Sequence, residues 1–213
     1  MFSKRIKAVA SFIPPAKLIA DVGCDHGYLI IEAFLNQNIT YAVAIDNKQQ
    51  PLTAAIRNIS LYPFYRQVRF SLSDGFCDLK EEVEAIILSG IGGINALRII
   101  QRDPEKVKNA RLIIQANRNI YDLRKGLAQL KFSITKEQII KEGQHFYEIL
   151  EFSKTDYCPQ YTTAKLEYGP LLINEKSPIF KEKLKKELVR YQKIALSAQE
   201  IQERIKIIEE ILW

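Results

Sequence analysis

One short segment near the start of the chain combines glycines, acids and a histidine in a pattern suited to cofactor binding. Residues Asp21 to Gly27 read Asp-Val-Gly-Cys-Asp-His-Gly, after an apolar run at 18–20 and before a helical stretch at 28–36. This strand, glycine turn and helix is the layout with which α/β sheets bind adenosine-containing cofactors. Gly23 lets the backbone turn without a Cβ, and Gly27 lets a ligand or the helix come close.

The residues between those glycines indicate which kind of cofactor is bound. A dinucleotide site has the spacing G-x-G-x-x-G, so that the pyrophosphate lies on amide groups at the helix N-terminus. In this chain Cys24, Asp25 and His26 fill the middle of the motif, so that two acids, Asp21 and Asp25, face the ligand. Acids repel a pyrophosphate and suit a cation. This favours S-adenosylmethionine, whose sulfonium and amino groups are both positive; the alternative is a tight turn that binds no ligand.

Two further acids follow predicted strands where such a fold requires them. Asp46, with Asn47 after it, ends an apolar run about 20 to 25 residues beyond the glycine turn, where an acid accepts hydrogen bonds from both ribose hydroxyls. Asp74 and Gly75 close the third strand, in a loop where a carboxylate can accept from the adenine amino group. The alternative for this second pair is an ordinary Asp-Gly turn.

Three glycines within four positions follow the fourth predicted strand. The run Ser89-Gly90-Ile91-Gly92-Gly93 is hard to explain by packing, and we interpret it as a floor over which a methyl acceptor passes. Its first two residues are assigned to the cofactor and its last two to the acceptor. Because the carboxyl ends of parallel strands form the ligand crevice, Asp25, Asn95 and Asn117 are expected to converge with this loop.

The order of predicted elements indicates the fold class. Strands are predicted at 18–22, 41–45, 67–72, 84–88, 111–115, 132–140 and 146–152, and helices at 4–12, 28–36, 50–59, 93–101 and 121–130. This alternation is typical of a doubly wound, Rossmann-like α/β sheet. The last two strands meet at Glu142-Gly143-Gln144 without a helix between them. We therefore predict a seven-stranded methyltransferase sheet whose last strand is antiparallel.

A boundary near residue 154 divides the chain into a predicted methyltransferase domain, 1–153, and a helical domain of coiled-coil type, 154–213. Apolar residues of the second part recur at coiled-coil spacings. They are Leu184, Leu188, Tyr191, Ile194, Ile201, Ile205, Ile208 and Leu212. Between the two stripes, Ser197-Ala198-Gln199-Glu200 matches a capping box, so a second helix is predicted to start there. We favour a helical hairpin over one bent helix.

Composition is consistent with one sizeable α/β domain and a small annex. The chain has 213 residues, and 47% of them are apolar. Its formal net charge of +6 suits a polyanionic partner, although a lysine-rich sequence can also be basic for reasons of genome composition. No apolar run has the length of a membrane span and residues 1–20 lack a signal-peptide block, so we expect a cytoplasmic protein. The three scattered cysteines indicate neither disulfides nor a metal site.

Six segments carry a resemblance to a known family: DVGCDHGYL, AVAIDN, LSDG, LSGIGG, LIIQAN and HFYEI, in this order. With Ser3-Lys4-Arg5-Ile6 and Tyr168-Gly169-Pro170-Leu171-Leu172, they resemble the bacterial tRNA adenine-22 N1-methyltransferase family over nearly the whole chain. The most specific elements are the Asp25-His26 pair and the doubled glycine. The departures from the family pattern are Asp46 for Glu, Ile91 for Met and Ala116 for Pro.

The resemblance implies methyl transfer from S-adenosylmethionine to N1 of a tRNA adenine, whose lone pair is the nucleophile. Because N1 lies in the Watson–Crick edge, the base must be unpaired or swung out. Methylation leaves a cationic adenine that a carboxylate stabilises, or whose N6 proton it accepts. Asp25 is the first candidate, although it could instead hold the methionine amino group. His26 assists or locks the turn, and Asn117 presents an amide to the base edge.

Other residues are assigned to RNA contacts. Arg118 is expected to pair with a phosphate, and Tyr28 either stacks on the flipped base or belongs to the core. The basic side chains of the tail are interpreted as an arm that grips the tRNA body, or else as an ordinary solvated helix face. They are Lys181, Lys183, Lys185, Lys186, Arg190 and Lys193. We expect the protein to be a monomer.

Three alternatives to this function remain at the level of sequence. An NAD-linked oxidoreductase is disfavoured by the missing third glycine and by the acid and histidine where phosphate would lie. A non-catalytic RNA-binding module could keep the same fold. A methyltransferase could also act on another RNA or on a small molecule.

Overall fold

A computed structural model of the protein describes residues 2–194 and 199–213. A seven-stranded sheet lies at its centre. The strands are β1 (Ala16–Val22), β2 (Ile39–Asp46), β3 (Val68–Leu72), β4 (Ala85–Ile91), β5 (Arg111–Ala116), β6 (Phe132–Glu142) and β7 (His145–Lys154). All seven predicted strands are confirmed.

The strand order is β3-β2-β1-β4-β5-β7-β6. The strands β1 to β5 pair in parallel, whereas β7 is antiparallel to both of its neighbours. The predicted seven-stranded methyltransferase sheet with an antiparallel last strand is therefore confirmed. The order reverses between β1 and β4, which is where ligands bind in open α/β sheets.

Helices cover both faces of this sheet and continue beyond it. In chain order they are α1 (Lys4–Ala10), α2 (Tyr28–Asn36), α3 (Gln49–Ile59), α4 (Gly93–Arg102), α5 (Pro104–Val107), α6 (Ile120–Gln129), α7 (Thr163–Tyr168), α8 (Pro170–Glu175), α9 (Pro178–Ile194) and α10 (Gln199–Leu212). A 3₁₀ helix over Pro63–Gln67 and the short α5 were not predicted. Both begin with proline, whose fixed φ suits a first helical turn, and both are too short to show apolar periodicity.

Two apolar clusters form the core, one on each face of the sheet. Successive strand residues point to opposite faces, so Ile87 belongs to one cluster while Ile86 and Leu88 belong to the other. Both faces are buried, which explains the nearly continuous apolar runs of the central strands. Among the described helices, none is long and apolar enough to cross a membrane.

The described parts of α9 and α10 lie side by side. Phe180 and Leu184 of α9 share an apolar cluster with Ile208 and Ile211 of α10. Nearer the connection, Arg204 donates to the Tyr191 hydroxyl at 3.2 Å. These contacts agree with the favoured hairpin. Ser197 and Ala198 of the predicted capping box lie outside the described residues.

A buried ionic network joins the C-terminal segment to the sheet. Arg124 of α6, with no exposed surface, pairs with Glu137 of β6 at 2.8 Å and Glu148 of β7 at 2.6 Å. Lys183 of α9 pairs with Glu148 at 2.7 Å. Burial alone would raise the pKa of Glu148, but the charges of Lys183 and Arg124 hold it below its ordinary value. Arg124 also donates to the carbonyl oxygens of Leu166 and Glu167.

This network corrects the prediction that Lys183 belongs to an exposed basic face. Its side chain is 17% exposed and is neutralised by Glu148, whereas Lys181, Lys185, Lys186 and Arg190 are exposed. Helical periodicity in the sequence shows only that Lys183 is a polar residue next to the apolar face of α9. The buried acid that it meets comes from a distant strand, which sequence spacing does not reveal.

We expect Arg124→Leu to lower the free energy of unfolding by about 3 to 5 kcal/mol, because it leaves two buried carboxylates with one remaining cation. Urea unfolding monitored by circular dichroism measures this. Arg57→Leu is the matched control, since Arg57 is exposed at the end of α3 and should change stability by less than about 0.5 kcal/mol. Equal effects of the two substitutions would contradict a stabilising role for the network.

Candidate active site

A cleft of about 390 Å³ lies at the carboxyl ends of β1, β2 and β4. Among the predicted site residues, those that line it are Asp21, Gly23, Asp25, His26, Tyr28, Asp46, Asn47, Ser89 and Gly90. The strand reversal beside β1 sends the loop after β1 and the loop after β4 in opposite directions, which opens the space between them. Residues that the sequence places far apart are thus brought together.

The glycine turn after β1 is fixed by its backbone. Gly23 has φ +81°, and its amide donates to the Ile45 carbonyl oxygen at 2.8 Å. Gly27 has φ +72° and lies so close to α3 that a Cβ there would come within 2.8 Å of Ile59. The close neighbour is α3 and not the helix that follows the turn, and a contact of Gly27 with the cofactor stays a prediction. Asp25 also has positive φ, +47°, which aspartate tolerates better than most residues.

The carboxylate of Asp46 connects two loops of the cleft. Its Oδ2 accepts from the Asp25 amide at 3.2 Å and its Oδ1 from the Lys48 amide at 3.0 Å. A carboxylate offers about four lone-pair sites, so Asp46 keeps acceptor capacity for a ligand. One side chain therefore sets the geometry of the turn and can still bind ribose hydroxyls.

Asp21 is the most perturbed carboxyl of the cleft. It is 2% exposed at the end of β1. Burial, together with the charges of Asp46 and Asp25, raises the pKa of Asp21 from 3.8 to about 7. The neighbouring Cys24 is buried, and burial raises the pKa of its thiol far above the ordinary value, which disfavours the nucleophilic thiolate at neutral pH.

Two amide side chains of β5 and its following loop hold the loop after β4. Gln115, fully buried, accepts at Oε1 from the Gly90 amide at 3.1 Å. Asn117 accepts from Gln115 Nε2 at 3.1 Å and donates to the Gly90 carbonyl oxygen at 2.9 Å. Asn117 thus acts on the loop in this structure, and its assignment to the base edge stays a prediction. Gln115 was not predicted; its sequence signal is an amide at the end of an otherwise apolar strand.

Packing accounts for part of the glycine run, contrary to the prediction. A Cβ at Gly93 would collide with the backbone oxygen of Asn119, and its amide donates to the Arg118 carbonyl oxygen at 2.9 Å. Gly92 lies against the Arg118 side chain. Neither Gly92 nor Gly93 lines the cleft. The start of α4 must approach the loop before α6, and only glycine leaves room for that.

Arg5 of α1 is a cleft residue to which the sequence assigned no role. Its guanidinium donates to Gln115 Oε1 at 3.3 Å and lies 5.5 Å from the centre of the Tyr147 ring. A Cβ on Gly90 would be 3.4 Å from Arg5 Nη1. The only sequence signal was its position within the Ser3-Lys4-Arg5-Ile6 segment. It places a permanent positive charge in a cleft that is otherwise rich in acids.

Aromatic rings lie at the cleft beside the glycine turn. The His26 ring stacks on Tyr28, with centroids 5.4 Å apart and an interplanar angle of 15°. Phe2 contacts the Tyr28 ring at 5.5 Å. Tyr28 is 40% exposed, which is unlike a core residue, and His26 Nε2 lies 3.6 Å from Asp25 Oδ1. These rings and the Asp25 carboxylate can contact the same ligand.

Of the other predicted site residues, Gly27, Asp74, Gly75, Asn95, Asn117 and Arg118 also lie outside the cleft lining. Asp74 pairs with Arg102 of α4 at 2.7 Å, and a Cβ on the next residue, Gly75, would be 2.7 Å from the same guanidinium. Asn95 is exposed on the first turn of α4 and accepts from Arg98 at 3.4 Å. The roles of these residues stay predictions. The described residues contain no group of three or more metal-binding side chains.

A second, larger cavity of about 600 Å³ lies between the start of α6 and the C-terminal helices. Arg118 lines it together with Lys183 and Arg204. Because Arg118 also contacts Gly92, this cavity lies directly beside the loop that follows β4. The C-terminal helices therefore reach the edge of the sheet that carries the cleft.

We expect Asp21→Asn to stabilise the protein in the absence of cofactor, because asparagine has nearly the shape of a neutral carboxyl and carries no charge. The folded-state pKa of Asp21 is raised, so the wild type loses stability as pH rises from 3.8 to about 7. This shift corresponds to roughly 4 kcal/mol. The melting temperature of the variant should therefore exceed that of the wild type by more at about pH 8 than at about pH 5.

Asp156→Asn is the control, since it removes an exposed carboxyl far along the chain. It should shift the melting temperature little at either pH. A pH-independent difference between Asp21→Asn and the wild type would show that Asp21 ionises without penalty.

Comparison with known proteins identifies the family. The model of the tRNA (adenine(22)-N(1))-methyltransferase family matches residues 19–212. The Bacillus subtilis (strain 168) tRNA (adenine(22)-N(1))-methyltransferase is 28% identical, over 99% of this chain and 96% of its own length.

Solved structures agree with that match. A putative tRNA (m1A22) methyltransferase of Streptococcus pneumoniae, in complex with S-adenosyl-L-methionine, has 32% identity and a TM-score of 0.93 over the full length of both chains. The M. capricolum TrmK structure with S-adenosyl-homocysteine has 28% identity and a TM-score of 0.87, covering 100% of this chain and 98% of its own. This chain belongs to the tRNA (adenine(22)-N(1))-methyltransferase family and is an S-adenosylmethionine-dependent enzyme.

Proposed function

We propose that this protein methylates N1 of adenine 22 in tRNA, with the reaction taking place in the cleft at β1, β2 and β4. The single observation that carries this assignment is the convergence of Asp21, Asp25 and Asp46 with the stacked His26–Tyr28 pair. Carboxylates suit a sulfonium cofactor and a base that becomes cationic, and aromatic rings suit an unstacked base. We propose that the enzyme acts in the cytoplasm and as a monomer.

The cofactor supplies an electrophilic methyl group on a positively charged sulfur. The cleft fits such a ligand because its buried Asp21 carboxyl is uncompensated and a Cβ at Gly23 would meet nothing within 4 Å, so the turn leaves open space. Asp46 and Asn47 would bind the ribose hydroxyls, and Ser89 and Gly90 would contact the methionine part.

Three further groups complete the proposed cofactor contacts. Arg5 would pair with the cofactor's carboxylate, because a guanidinium binds carboxylates in a bidentate fork. Asp74 and Gly75, at the end of the neighbouring strand β3, would receive the adenine amino group. Since Asp74 has a further oxygen besides the one that pairs with Arg102, it can accept without losing that ion pair.

Asp25 is proposed as the catalytic carboxylate. Its side chain is 69% exposed, so the base can reach it, and its amide is anchored on Asp46 at 3.2 Å. The carboxylate would stabilise the positive charge that develops on adenine or accept a proton from N6. His26, 3.6 Å from Asp25, would hold the carboxylate in place. Tyr28 would stack on the extruded base.

The RNA would extend from the cleft towards the C-terminal helices. Arg118, exposed between Gly92 and the larger cavity, would contact a phosphate near the target nucleotide. Gly93, Asn95 and Asn117 would shape the loop on which the nucleotide rests. The exposed basic side chains of α9 would grip the tRNA body, with residues 1–153 acting as the catalytic part and 154–213 as the RNA-contacting part.

We expect Asp25→Asn to reduce the turnover of tRNA methylation by about a hundredfold or more, with a smaller change in S-adenosylmethionine affinity. Asp46→Asn is the comparison. It should instead weaken cofactor binding by about tenfold to a hundredfold, the equivalent of roughly 1.5 to 3 kcal/mol. Single-turnover methylation with labelled cofactor and calorimetric titration separate the two effects. Equal losses for Asp25→Asn would assign it to the cofactor's amino group.

Removing charge from α9 should weaken tRNA binding and its salt dependence. We expect Lys181→Gln with Lys185→Gln to reduce the salt slope by about two units, one for each lost phosphate contact, and to leave cofactor affinity unchanged. Lys17→Gln with Arg66→Gln removes the same charge from exposed positions at the amino end of β1 and in the 3₁₀ helix before β3, and serves as the control. Identical slopes for the two double variants would show that α9 does not contact the RNA.

A further inference from the structure

The register between β4 and β5 changes at one residue beside the cleft. Ser89 pairs with Gln115 of β5, whereas the next residue of β5 pairs with Ile91. Gly90 is therefore an extra residue in β4, which makes a β-bulge. Bulges bend a strand and are over-represented next to active sites. Gly90 has φ +79° and lines the cleft, so the position of its peptide groups helps to shape the site.

Two amide side chains hold the backbone groups of this extra residue. The Gly90 amide donates to Gln115 Oε1 at 3.1 Å, and the Gly90 carbonyl oxygen accepts from Asn117 Nδ2 at 2.9 Å. Gln115 Nε2 donates to Asn117 Oδ1 at 3.1 Å, which closes a ring of three hydrogen bonds. This arrangement of Gly90, Gln115 and Asn117 is a bulge clamp, because it fixes both backbone groups of the bulged residue.

The direction of each hydrogen bond in the bulge clamp is determined by its neighbours. Gln115 Oε1 also accepts from Arg5 Nη1 at 3.3 Å. A reversed Gln115 amide would direct its NH₂ group at two donors, the Gly90 amide and the Arg5 guanidinium. Because Oε1 faces Gly90, Nε2 must face Asn117, and Asn117 must turn its own NH₂ group to the Gly90 carbonyl oxygen. The clamp therefore permits one orientation of each side-chain amide.

We infer that Gln115 is a positioning residue for methyl transfer, which acts through Gly90 and Asn117. Gln115 is fully buried and lies outside the cleft lining. It therefore influences the reaction only through the groups that it holds. This inference rests on the proposed function, because it takes the loop after β4 as the floor on which the target nucleotide rests.

Loss of the bulge clamp would release the floor of the site without opening the opposite wall. Glycine has no Cβ to restrict its backbone, so the two side-chain amides are what hold the bulge in one conformation. A misplacement of about 1 Å in the groups that orient a substrate can cost about a hundredfold in rate. Asp46 holds the turn at Asp25 independently of the clamp. Turnover should therefore depend on Gln115 more strongly than cofactor affinity does.

Single-turnover methylation of tRNA, with enzyme and cofactor at saturation, tests this inference in the full-length protein. We expect Gln115→Met, which keeps the length of the side chain and removes its amide, to lower the rate constant by about tenfold to a hundredfold. S-adenosylmethionine affinity, measured by calorimetric titration, should change less than the rate. Ile113→Val in the same strand is the control. It removes one buried carbon, so it should lower the melting temperature and leave the rate unchanged.

Hydrogen exchange of the Gly90 amide reports on the bulge clamp directly. The chain contains nine glycines, so isotopic labelling of glycine gives a small set of amide signals. Exchange at Gly90 should be faster in Gln115→Met and in Asn117→Ala than in the wild type. Asn117 is exposed, so the second variant tests the clamp even if Gln115→Met folds poorly. The double variant should methylate about as fast as the slower single variant, because both substitutions open the same ring.

The outcomes separate the inference from the proposed function. Faster exchange at Gly90 with a wild-type rate of methylation would show that the clamp has a structural role only, and it overturns the inference. Equal losses of rate and of cofactor affinity overturn it as well. Losses that multiply in the double variant would show that Asn117 acts independently of Gln115, which also overturns it. Failure of the wild type to methylate tRNA at adenine 22 overturns both the inference and the proposed function.

Discussion

The reversal of strand order between β1 and β4 is the constraint on which the site depends. The chain leaves β1 towards β2 and leaves β4 towards β5, so the loops after β1 and β4 diverge and leave a cleft above adjacent strand ends. Asp21 is paired in register with Ala44 of β2 and Ile87 of β4. It therefore lies at the centre of the sheet with its carboxyl at the floor of the cleft. Any ligand bound in the cleft lies close to this buried acid.

The loops around that floor are held mainly by side chains that bond to backbone. Asp46 binds the amides of Asp25 and Lys48, and Gln115 with Asn117 binds the amide and carbonyl of Gly90. Such contacts fix loop positions before a ligand arrives, which lowers the conformational entropy lost on binding. Groups that would touch the base, Asp25 and Tyr28, are more exposed. The supporting side chains of Asp46 and Gln115 are buried, whereas Asn117 and the proposed reacting groups are accessible.

The sequence predicted the strands, the antiparallel ending and the convergence of the motifs after β1, β2 and β4 because each has a local signal. Apolar runs mark the central strands, and positive-φ glycines mark the turn after β1. The contacts of Gly93 with Asn119 and of Lys183 with Glu148 could not be predicted, because each depends on where a remote segment packs. Arg5 belongs to the same class, since α1 precedes the sheet and only tertiary packing places its guanidinium beside Gly90.

Buried acids occur at two sites of the molecule, and the sites differ in whether a cation of the chain pairs with them. Glu148 receives permanent partners from Arg124 and Lys183, which hold its pKa below the ordinary value, so its ionisation stabilises the join between the sheet and the C-terminal helices. Glu137 shares Arg124, although burial still raises its pKa. Asp21 receives no such partner within the described chain, and its ionised form destabilises the ligand-free fold. A partner built into the chain would have neutralised this carboxyl and left it indifferent to a cation. The missing contact leaves an acid without a partner at the floor of the cleft, where a bound cation would favour its ionised form.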